Sequence, residues 1–277
     1  ESGLRNDHPR LVKAADWLLE KQVKIEGDWK VKNPNTDTGC WSFEFENKFY
    51  PDIDDTAIVC LALSMVKVKD EARKERAISK GINWVLDMQN KDGSWAAFDR
   101  DNNKRILRNI PFADFITPLD FGSPDITGHV LSVLGRLGYV DSIKSISKAI
   151  NYLKCNQEDD GSWYGRWGVN YIYGTSKVLQ AVGEIGENID NDLSKEVEKA
   201  IKWFKRHQND DGGWGESCVS YENYKYEHLG ESTASQTAWA VLGLMSSEGP
   251  SEASTRGIEY LAKAQKEDGS WEEKYYT

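Results

Sequence analysis

Apolar positions along the chain follow two helical patterns. In the first, they recur at helical spacing opposite a charged face, which is typical of a helix that covers a core. Five segments show this amphipathic pattern: residues 9–22, 71–89, 141–157, 192–208 and 250–265. In the second, apolar residues surround the helix and its middle is nearly uncharged, which indicates burial on most sides. Four segments show this apolar pattern: residues 54–66, 125–137, 171–182 and 232–245.

The two patterns alternate along the chain, and this alternation predicts the fold. Charged helices outside and apolar helices inside form two concentric layers, so we predict an all-α protein with an α/α toroid. The nine helices make an incomplete α6/α6 barrel. Links from charged to apolar helices are long and aromatic, as in residues 95–124 and 214–231, whereas the reverse links are short, as in residues 138–140. Long loops on one side of a scaffold usually carry function.

An internal Gln/Trp turn repeat supports this fold. Each unit has an aromatic residue, a glutamine five residues later, and a tryptophan after a turn that contains glycine. The units are Trp17/Gln22/Trp29, Trp84/Gln89/Trp95, Tyr152/Gln157/Trp163, Trp203/Gln208/Trp214 and Tyr260/Gln265/Trp271. The first unit differs from the others, because its glutamine and tryptophan are seven residues apart instead of six. We expect each glutamine amide to bind backbone groups at helix ends, and the tryptophan to stack over the turn.

Composition excludes several classes of function. A net charge of -10 and a pI near 5.1 argue against a nucleic-acid partner. The four cysteines lie far apart, which suggests free thiols in a reducing compartment. The N-terminus has no secretory pattern, and no apolar stretch approaches the roughly 20 residues that span a bilayer.

The candidate chemistry lies in an acidic stretch before an apolar helix. Asp52, Asp54 and Asp55 precede the apolar run of residues 57–66. We expect Asp52 just before the helix or at its N-cap, with the other two in the first turn. Close like charges resist ionising together, so at least one buried member keeps a proton near neutrality and is a candidate general acid. The alternative is an acidic helix start that faces solvent and is favoured by the helix dipole.

Two further clusters lie at starts of apolar helices. His129 follows Asp125 by one helical turn, so both lie on one face, where the histidine could hydrogen-bond an aspartate of a neighbouring helix start. A core histidine with satisfied hydrogen bonds is the alternative. Residues 165–175 form an aromatic loop that enters the next apolar helix, with core packing and the lining of a cavity as equal interpretations.

Several motifs carry a resemblance to a known family. They are Asp-Ile-Asp-Asp-Thr-Ala, Pro-Asp-Ile-Thr-Gly-His-Val-Leu, Gly-Arg-Trp-Gly-Val-Asn-Tyr-Ile-Tyr-Gly-Thr, Asp-Gly-Gly-Trp-Gly-Glu-Ser-Cys and the repeated Gln/Trp units. In this order, and over essentially the whole chain, they resemble the bacterial squalene-hopene cyclase family. The Asp-x-Asp-Asp form favours the branch that protonates a plain alkene over the oxidosqualene cyclases. The family's proteins are more than twice as long, so residues 1–277 are expected to be a single toroid domain from a longer two-domain cyclase.

The resemblance implies roles for individual residues. Asp54 is similar to the family's proton donor, flanked by Asp52 and Asp55, and His129 is similar to the histidine that polarises the donor. The remaining matches are cavity residues that stabilise carbocations or contact substrate: Phe43, Phe98, Phe115, Asp120, Trp167 and Tyr173. Phe98 occupies a position where squalene cyclases usually have Tyr, and the missing hydroxyl is expected to change where the cyclisation cascade stops.

The resemblance also implies an activity. A member of this family is an isomerase that cyclises squalene or a similar linear polyprene through carbocations, with neither a metal nor an organic cofactor. The partners expected by resemblance are an isoprenoid lipid and a membrane surface. The expected location is the cytoplasmic side of the cell membrane, with peripheral attachment. A homodimer is an open expectation. We do not expect the chain alone to cyclise a substrate.

Two alternatives from other classes stay open. One is a non-catalytic toroid that binds a lipid or a protein. The other is a zinc-dependent protein similar to protein prenyltransferases, suggested by Cys218 after Asp211-Gly212-Gly213-Trp214-Gly215-Glu216. Against the second, residues 232–245 lack the required histidine, and His228 lies in the preceding loop.

Overall fold

The structure, a computed structural model, describes residues 3–44, 46–102, 119–139, 143–186 and 193–274. It is mostly helical and divides into two compact units. Unit 1 comprises Glu1–Lys91, Trp95–Gly122 and Arg136–Tyr139, and unit 2 comprises Asp92–Ser94, Ser123–Gly135 and Val140–Thr277. The prediction of a single domain stays a prediction.

Among its described residues, unit 1 contains the α-helices α1 (Pro9–Lys21), α2 (Ile53–Ser64) and α3 (Glu71–Asp87). Local signals set their starts, since α1 has a proline in its first turn and α2 and α3 are capped by the side chains of Asp52 and Asp70. The helix α1 is amphipathic: it buries Ala15 and Leu19 on the side opposite its charged outer face. α2 packs against α3 and buries residues on most of its sides, as its apolar pattern predicts.

The other described α-helices lie in unit 2, except that Arg136 at the end of α4 belongs to unit 1. They are α4 (Pro124–Arg136), α5 (Ile143–Cys155), α6 (Tyr171–Ile185), α7 (Ser194–Arg206), α8 (Val219–Asn223), α9 (Ala234–Glu248) and α10 (Glu252–Ala264). The apolar helices α4, α6 and α9 lie close together: a Cβ on Gly128 of α4 would come within 2.9 Å of the Lys177 carbonyl of α6, and α6 packs against α9. The predicted apolar class is therefore the buried class.

All nine predicted helices occur within the described residues, with ends shifted by a few positions. Three shorter elements are not predicted by the patterns in the sequence. They are a 3₁₀ helix (Asp28–Val31), α8, and an antiparallel pair of strands, β1 (Trp214–Glu216) and β2 (His228–Thr233). The last two elements interrupt the link of residues 214–231 that was predicted as a loop.

The predicted role of the turn glutamines is confirmed. The Gln157 amide nitrogen donates to the carbonyls of Gly161 at 2.9 Å and of Glu196, in the first turn of α7, at 2.8 Å. Gln208 does the same with Gly212 at 2.7 Å and Ala253 at 2.9 Å, in the first turn of α10. These two glutamines therefore join their own turn to the start of the next charged helix.

The first repeat corrects the predicted unit, because its tryptophan is Trp41 and not Trp29. The Trp41 indole donates to the Leu18 carbonyl at 2.8 Å, and Gln22 donates to the carbonyls of Gly39 at 2.7 Å and Ala77 at 2.9 Å. Gly39 has the positive φ, 144°, of a turn glycine. Trp29 lies in the inserted 3₁₀ helix. Closing a longer loop costs little extra free energy, so the insertion leaves these hydrogen bonds intact.

Helices that combine the length and the apolarity of a membrane span are absent from the described ranges.

Candidate functional site

The three acids stand where the sequence predicts, at the start of α2. Asp52 is the N-cap, and its carboxylate accepts a hydrogen bond from the Asp55 backbone N–H at 2.9 Å. Asp54 and Asp55 occupy the first turn. Asp52 is buried, and the other two are half-buried.

Backbone hydrogen bonds fix this helix start on two sides. The Asp52 N–H donates to the Trp41 carbonyl at 2.9 Å, and the Ile53 N–H donates to the Ala97 carbonyl at 2.7 Å. The acids are thus held between the first repeat's turn and the segment that carries Phe98. A fixed position is what a general acid needs in order to meet its substrate.

One member of the trio holds a proton near neutrality. Burial raises the pKa of Asp52 from 3.8 to about 7, and the charges of Asp55 and Asp54 add to this rise. A hydrogen bond from the Asp55 backbone acts in the opposite direction. The sequence predicts a retained proton in this trio, and the family resemblance implies Asp54 as its donor, whereas the raised pKa is that of the neighbouring Asp52.

Phe98 and Asp120 lie next to this helix start in unit 1. The Asp120 carboxylate accepts hydrogen bonds from three successive backbone N–H groups, those of Ala97 at 3.3 Å, Phe98 at 2.6 Å and Asp99 at 2.7 Å. The Tyr50 ring packs against the Phe98 ring with 5.3 Å between centroids. Asp120 therefore holds the backbone around Phe98 in place, and the phenol ring of Tyr50 lies beside the Phe98 ring. Phe115 lies outside the described residues.

Phe43 lines a groove of about 270 Å³ in unit 1. Asp55, Trp17 and Trp41 line the same groove, with Leu18, Lys21, Ser42, Lys48 and Val59. The Phe43 side chain is 71% exposed. Unit 1 thus brings an exposed aromatic ring and one acid of the trio to the same groove.

His129, Trp167 and Tyr173 belong to unit 2. His129 is half-buried in α4, one turn after Asp125, as the sequence predicts. The Trp167 ring is 48% exposed, with the Arg166 guanidinium 5.6 Å from its centroid. Tyr173 lies in the first turn of α6, where its ring meets the Trp239 ring edge-on at 4.8 Å.

Two carboxylates in unit 2 have a larger role than the sequence indicated. Asp125 accepts hydrogen bonds from the backbone N–H groups of Arg166 and Trp167, both at 2.9 Å. Glu216 accepts from Asn170, Tyr171 and Ile172. Burial raises the pKa of both acids. Their one signal in the sequence is an acid beside aromatic and apolar residues, and this does not reveal which N–H groups it binds.

Cys218 is exposed and is the N-cap of α8. In the part of the chain that the structure describes, no group of three or more His, Cys, Asp or Glu side chains is arranged to hold a metal ion.

Comparison with known sequences gives a consistent result. The family described as squalene-hopene cyclase C-terminal domain matches residues 1–277. The squalene-hopene cyclase of Alicyclobacillus acidocaldarius is 48% identical over 277 residues, covering 100% of this chain and 43% of that protein. That of Bradyrhizobium diazoefficiens is 42% identical over 282 residues, covering 100% of this chain and 42% of the relative. The chain therefore spans less than half the length of these relatives.

Comparison with solved structures supports the fold. The type II terpene cyclase MstE from Scytonema superposes with a TM-score of 0.61 at 19% identity, covering 96% of this chain and 67% of that chain. A variant of MstE in complex with geranylgeranyl dihydroxybenzoate, described as its substrate, gives a TM-score of 0.61 at 18% identity, with 96% and 66% covered. Type II terpene cyclases have an α/α-toroid fold, so the predicted fold class is confirmed.

Proposed function

Since the chain belongs to the squalene-hopene cyclase family over residues 1–277, we propose that it forms the catalytic C-terminal part of a polyprene cyclase. The observation that carries the proposal is the acid trio at the start of α2, of which Asp52 has a pKa of about 7. The proposed substrate is squalene or a similar linear polyprene, and the reaction is an isomerisation. The alternative of a zinc-dependent prenyltransferase-like protein is not favoured by the family match.

In this proposal Asp54 is the general acid. Its carboxyl O–H gives a proton to a terminal alkene carbon, and the π electrons of the alkene form the new C–H bond. The neighbouring carbon becomes a carbocation, which the next double bond attacks. The cascade ends when the last cation loses a proton, which gives an isomer of the substrate, or when it adds water and the resulting oxonium loses a proton, which gives a hydrated side product. Solvent then returns a proton to Asp54. General acid catalysis of this kind contributes on the order of 10²- to 10⁴-fold.

The other titratable groups tune this acid. Asp52 and Asp55 flank Asp54, and their negative charge opposes further ionisation within the trio. His129 is the proposed hydrogen-bond partner that polarises the donor, an assignment that rests on the family match.

Aromatic residues are proposed to stabilise the successive cations. A strong base or water would quench a carbocation, whereas an aromatic face stabilises it without reacting, by about 2 kcal/mol when the cation is desolvated. Phe43, Phe98, Trp167 and Tyr173 take this role, with Phe115 by family match. Tyr50, whose ring lies 5.3 Å from that of Phe98, is proposed to supply a phenol near the position where other squalene cyclases have Tyr. Asp120 acts by holding the Phe98 backbone.

The family match also supports a location. We propose peripheral attachment at the cytoplasmic side of the cell membrane, where the isoprenoid lipid resides, and a homodimer as the assembly. Flotation of the protein with phospholipid vesicles tests the first, and sedimentation velocity tests the second.

The experiment that tests the activity uses two forms of the protein. This chain, and the same chain restored to the relatives' length, are incubated with detergent-dispersed squalene, and products are separated by gas chromatography with mass spectrometry. We expect cyclised product from the long form. Absence of product from both forms would overturn the squalene assignment. An inactive Asp54→Asn long form would support the acid's identity.

A further inference from the structure

The aromatic loop, residues 165–170, leads into α6 and carries Trp167, whose side chain is 48% exposed. An exposed indole on a loop normally samples several positions. Here two buried carboxylates from other parts of unit 2 hold the backbone of the loop and of the α6 start that follows it. Asp125 is 1% exposed and Glu216 is 0% exposed, so neither interacts with bulk solvent.

The first carboxylate binds the middle of the loop. One oxygen of Asp125, Oδ2, accepts from the Arg166 and Trp167 N–H groups, both at 2.9 Å. The donor residues are 41 and 42 positions away along the chain. The residue that carries the indole is thus held through its own backbone N–H by the first turn of α4.

The second carboxylate binds the end of the loop. Glu216 accepts from Asn170 at 3.1 Å, Tyr171 at 3.1 Å and Ile172 at 2.9 Å, which are backbone donors at the start of α6. Asn170 is the N-cap of α6, yet its side chain makes no capping hydrogen bond to a described residue. Glu216 therefore replaces a local cap, and its negative charge is favourable at a helix N-terminus. Gln236 fixes the Glu216 backbone, accepting from its N–H at 2.8 Å.

The loop also closes on itself and on Tyr173. Asn170 donates from Nδ2 to the Gly165 carbonyl at 2.7 Å, and the Gly165 N–H donates to the Asn170 carbonyl at 2.9 Å. A Cβ on Gly168 would lie 2.8 Å from the Tyr173 ring, so the loop backbone rests directly against that ring. The backbone that holds Trp167 is therefore also in contact with Tyr173.

We propose that Asp125 and Glu216 are positioning residues for cyclisation, which hold the aromatic loop so that Trp167 and Tyr173 meet the carbocation at set positions. The proposal rests on the proposed function for the role of the two rings. Burying a carboxylate is costly unless strong hydrogen bonds compensate, and here two separate acids bind five backbone N–H groups in one short segment. The stabilisation of a cation by a ring depends on their separation, so a displaced ring loses the effect.

The first experiment measures the loop itself in the chain as it exists. Amide hydrogen exchange of residues 165–172 is compared between the parent, Asp125→Asn, Glu216→Gln and a control, Asp160→Asn. Asp160 is also a hydrogen-bonded turn carboxylate, which accepts from the Ser162 N–H at 3.0 Å and the Trp203 indole at 2.8 Å, and it binds none of the loop's N–H groups.

We expect exchange at Arg166 and Trp167 to accelerate at least about tenfold in Asp125→Asn, and exchange at Asn170, Tyr171 and Ile172 to accelerate similarly in Glu216→Gln. The control is expected to leave all five unchanged. Equal exchange in parent and variants, or equal acceleration in the control, would overturn the positioning role.

The second experiment measures products with the chain restored to the relatives' length. Asp125→Asn is expected to lower kcat about tenfold with little change in KM, and to raise the share of partly cyclised products. Loss of folding stability alone does not change a product ratio, so Asp160→Asn is expected to keep the parent's ratio. The double variant Asp125→Asn with Trp167→Ala is expected to differ from Trp167→Ala alone by much less than tenfold in kcat, because the acid acts mainly through the indole and only secondarily through Tyr173.

The outcomes separate the two proposals. A long form that makes no cyclised product contradicts the proposed function, and the exchange data then still decide whether the acids hold the loop. A long form that is active and in which Asp125→Asn and Asp160→Asn give the same product ratio contradicts the positioning role. If Asp125→Asn fails to fold, Glu216→Gln and Trp167→Ala supply the same comparison.

Discussion

The helices α2 and α6 are both apolar and buried, but acids of different origin stabilise their first turns. At α2 the cap is local, since Asp52 accepts from the Asp55 N–H three residues later. At α6 the local residue Asn170 makes no side-chain cap with the described part of the chain, and Glu216 accepts its N–H from 46 positions away. Both starts place a buried carboxylate next to helix N–H groups.

The difference shows two uses of a buried acid. At α6 one carboxylate binds three N–H donors, which oppose the rise that burial causes in its pKa and hold the backbone in place. At α2 three acids share one helix turn, and burial with mutual repulsion raises the pKa of Asp52 to about 7. Crowding of acids suits proton donation, whereas crowding of N–H donors around one acid suits positioning.

The strongest test of this comparison removes the proposed acid. Asp54→Asn, in the chain restored to the relatives' length, is expected to lower kcat by about 10³-fold, because an amide N–H is far too weak an acid to protonate an alkene. Product formation from squalene measures it. Asp70→Asn is the control, since Asp70 caps α3 through the Arg73 N–H at 2.9 Å and Asn caps a helix equally well. Retention of more than about a tenth of the parent kcat in Asp54→Asn would reject Asp54 as the acid.

The second test uses the pKa of Asp52. The folded pKa, about 7, lies above the ordinary 3.8, so the protonated acid stabilises the fold fully below about pH 4 and this contribution is lost as pH rises through about 7. Asp52→Asn has no such titration. The unfolding free energy of the parent, relative to Asp52→Asn, is therefore expected to fall by on the order of 4 kcal/mol between pH 4 and pH 8. Urea unfolding at several pH values measures it, and parallel pH curves would contradict the raised pKa.

The third test compares the loss of stability when Glu216 at α6 and Asp52 at α2 are each replaced. Glu216→Ala leaves three buried N–H groups without their acceptor, and we expect it to lower the unfolding free energy by about 3 kcal/mol. At pH 3, Asp52→Asn is expected to change it by less than about 0.5 kcal/mol, because Asn also caps and the parent acid is protonated in both the folded and the unfolded chain. Glu198→Gln, an exposed acid paired with Lys202, is the control for charge removal. Equal losses for Glu216→Ala and Asp52→Asn would remove the distinction between the two sites.

The smallest effect is expected from a hydrogen bond that occurs in equivalent form at the start of each of the two helices. Thr56 of α2 accepts from the Trp41 N–H at 2.9 Å, and Thr175 of α6 accepts from the Trp163 N–H at 2.9 Å. Thr→Val at either position removes an acceptor from a buried N–H, which costs about 1 to 2 kcal/mol. Urea unfolding should give equal losses for Thr56→Val and Thr175→Val. Unequal losses would mean that the repeat is not equivalent at the two helices.

The sequence by itself determined the helices and the location of the acid trio. Helical periodicity, caps such as Asp52, and the glutamine before each turn act over a few residues, so their consequences for α1 to α7, α9 and α10 can be inferred from neighbouring positions alone. The family motifs likewise consist of residues close together in the chain, and the match over residues 1–277 agrees with them.

The tertiary structure alone decided which groups these elements bring together. It identified Trp41 in place of Trp29, and it paired Asp125 and Glu216 with N–H groups 41 to 46 positions away. It also showed which acid of the trio has the raised pKa. Hydrogen bonds across such separations leave no periodic signal in a single sequence, and a pKa depends on burial by residues from many parts of the chain.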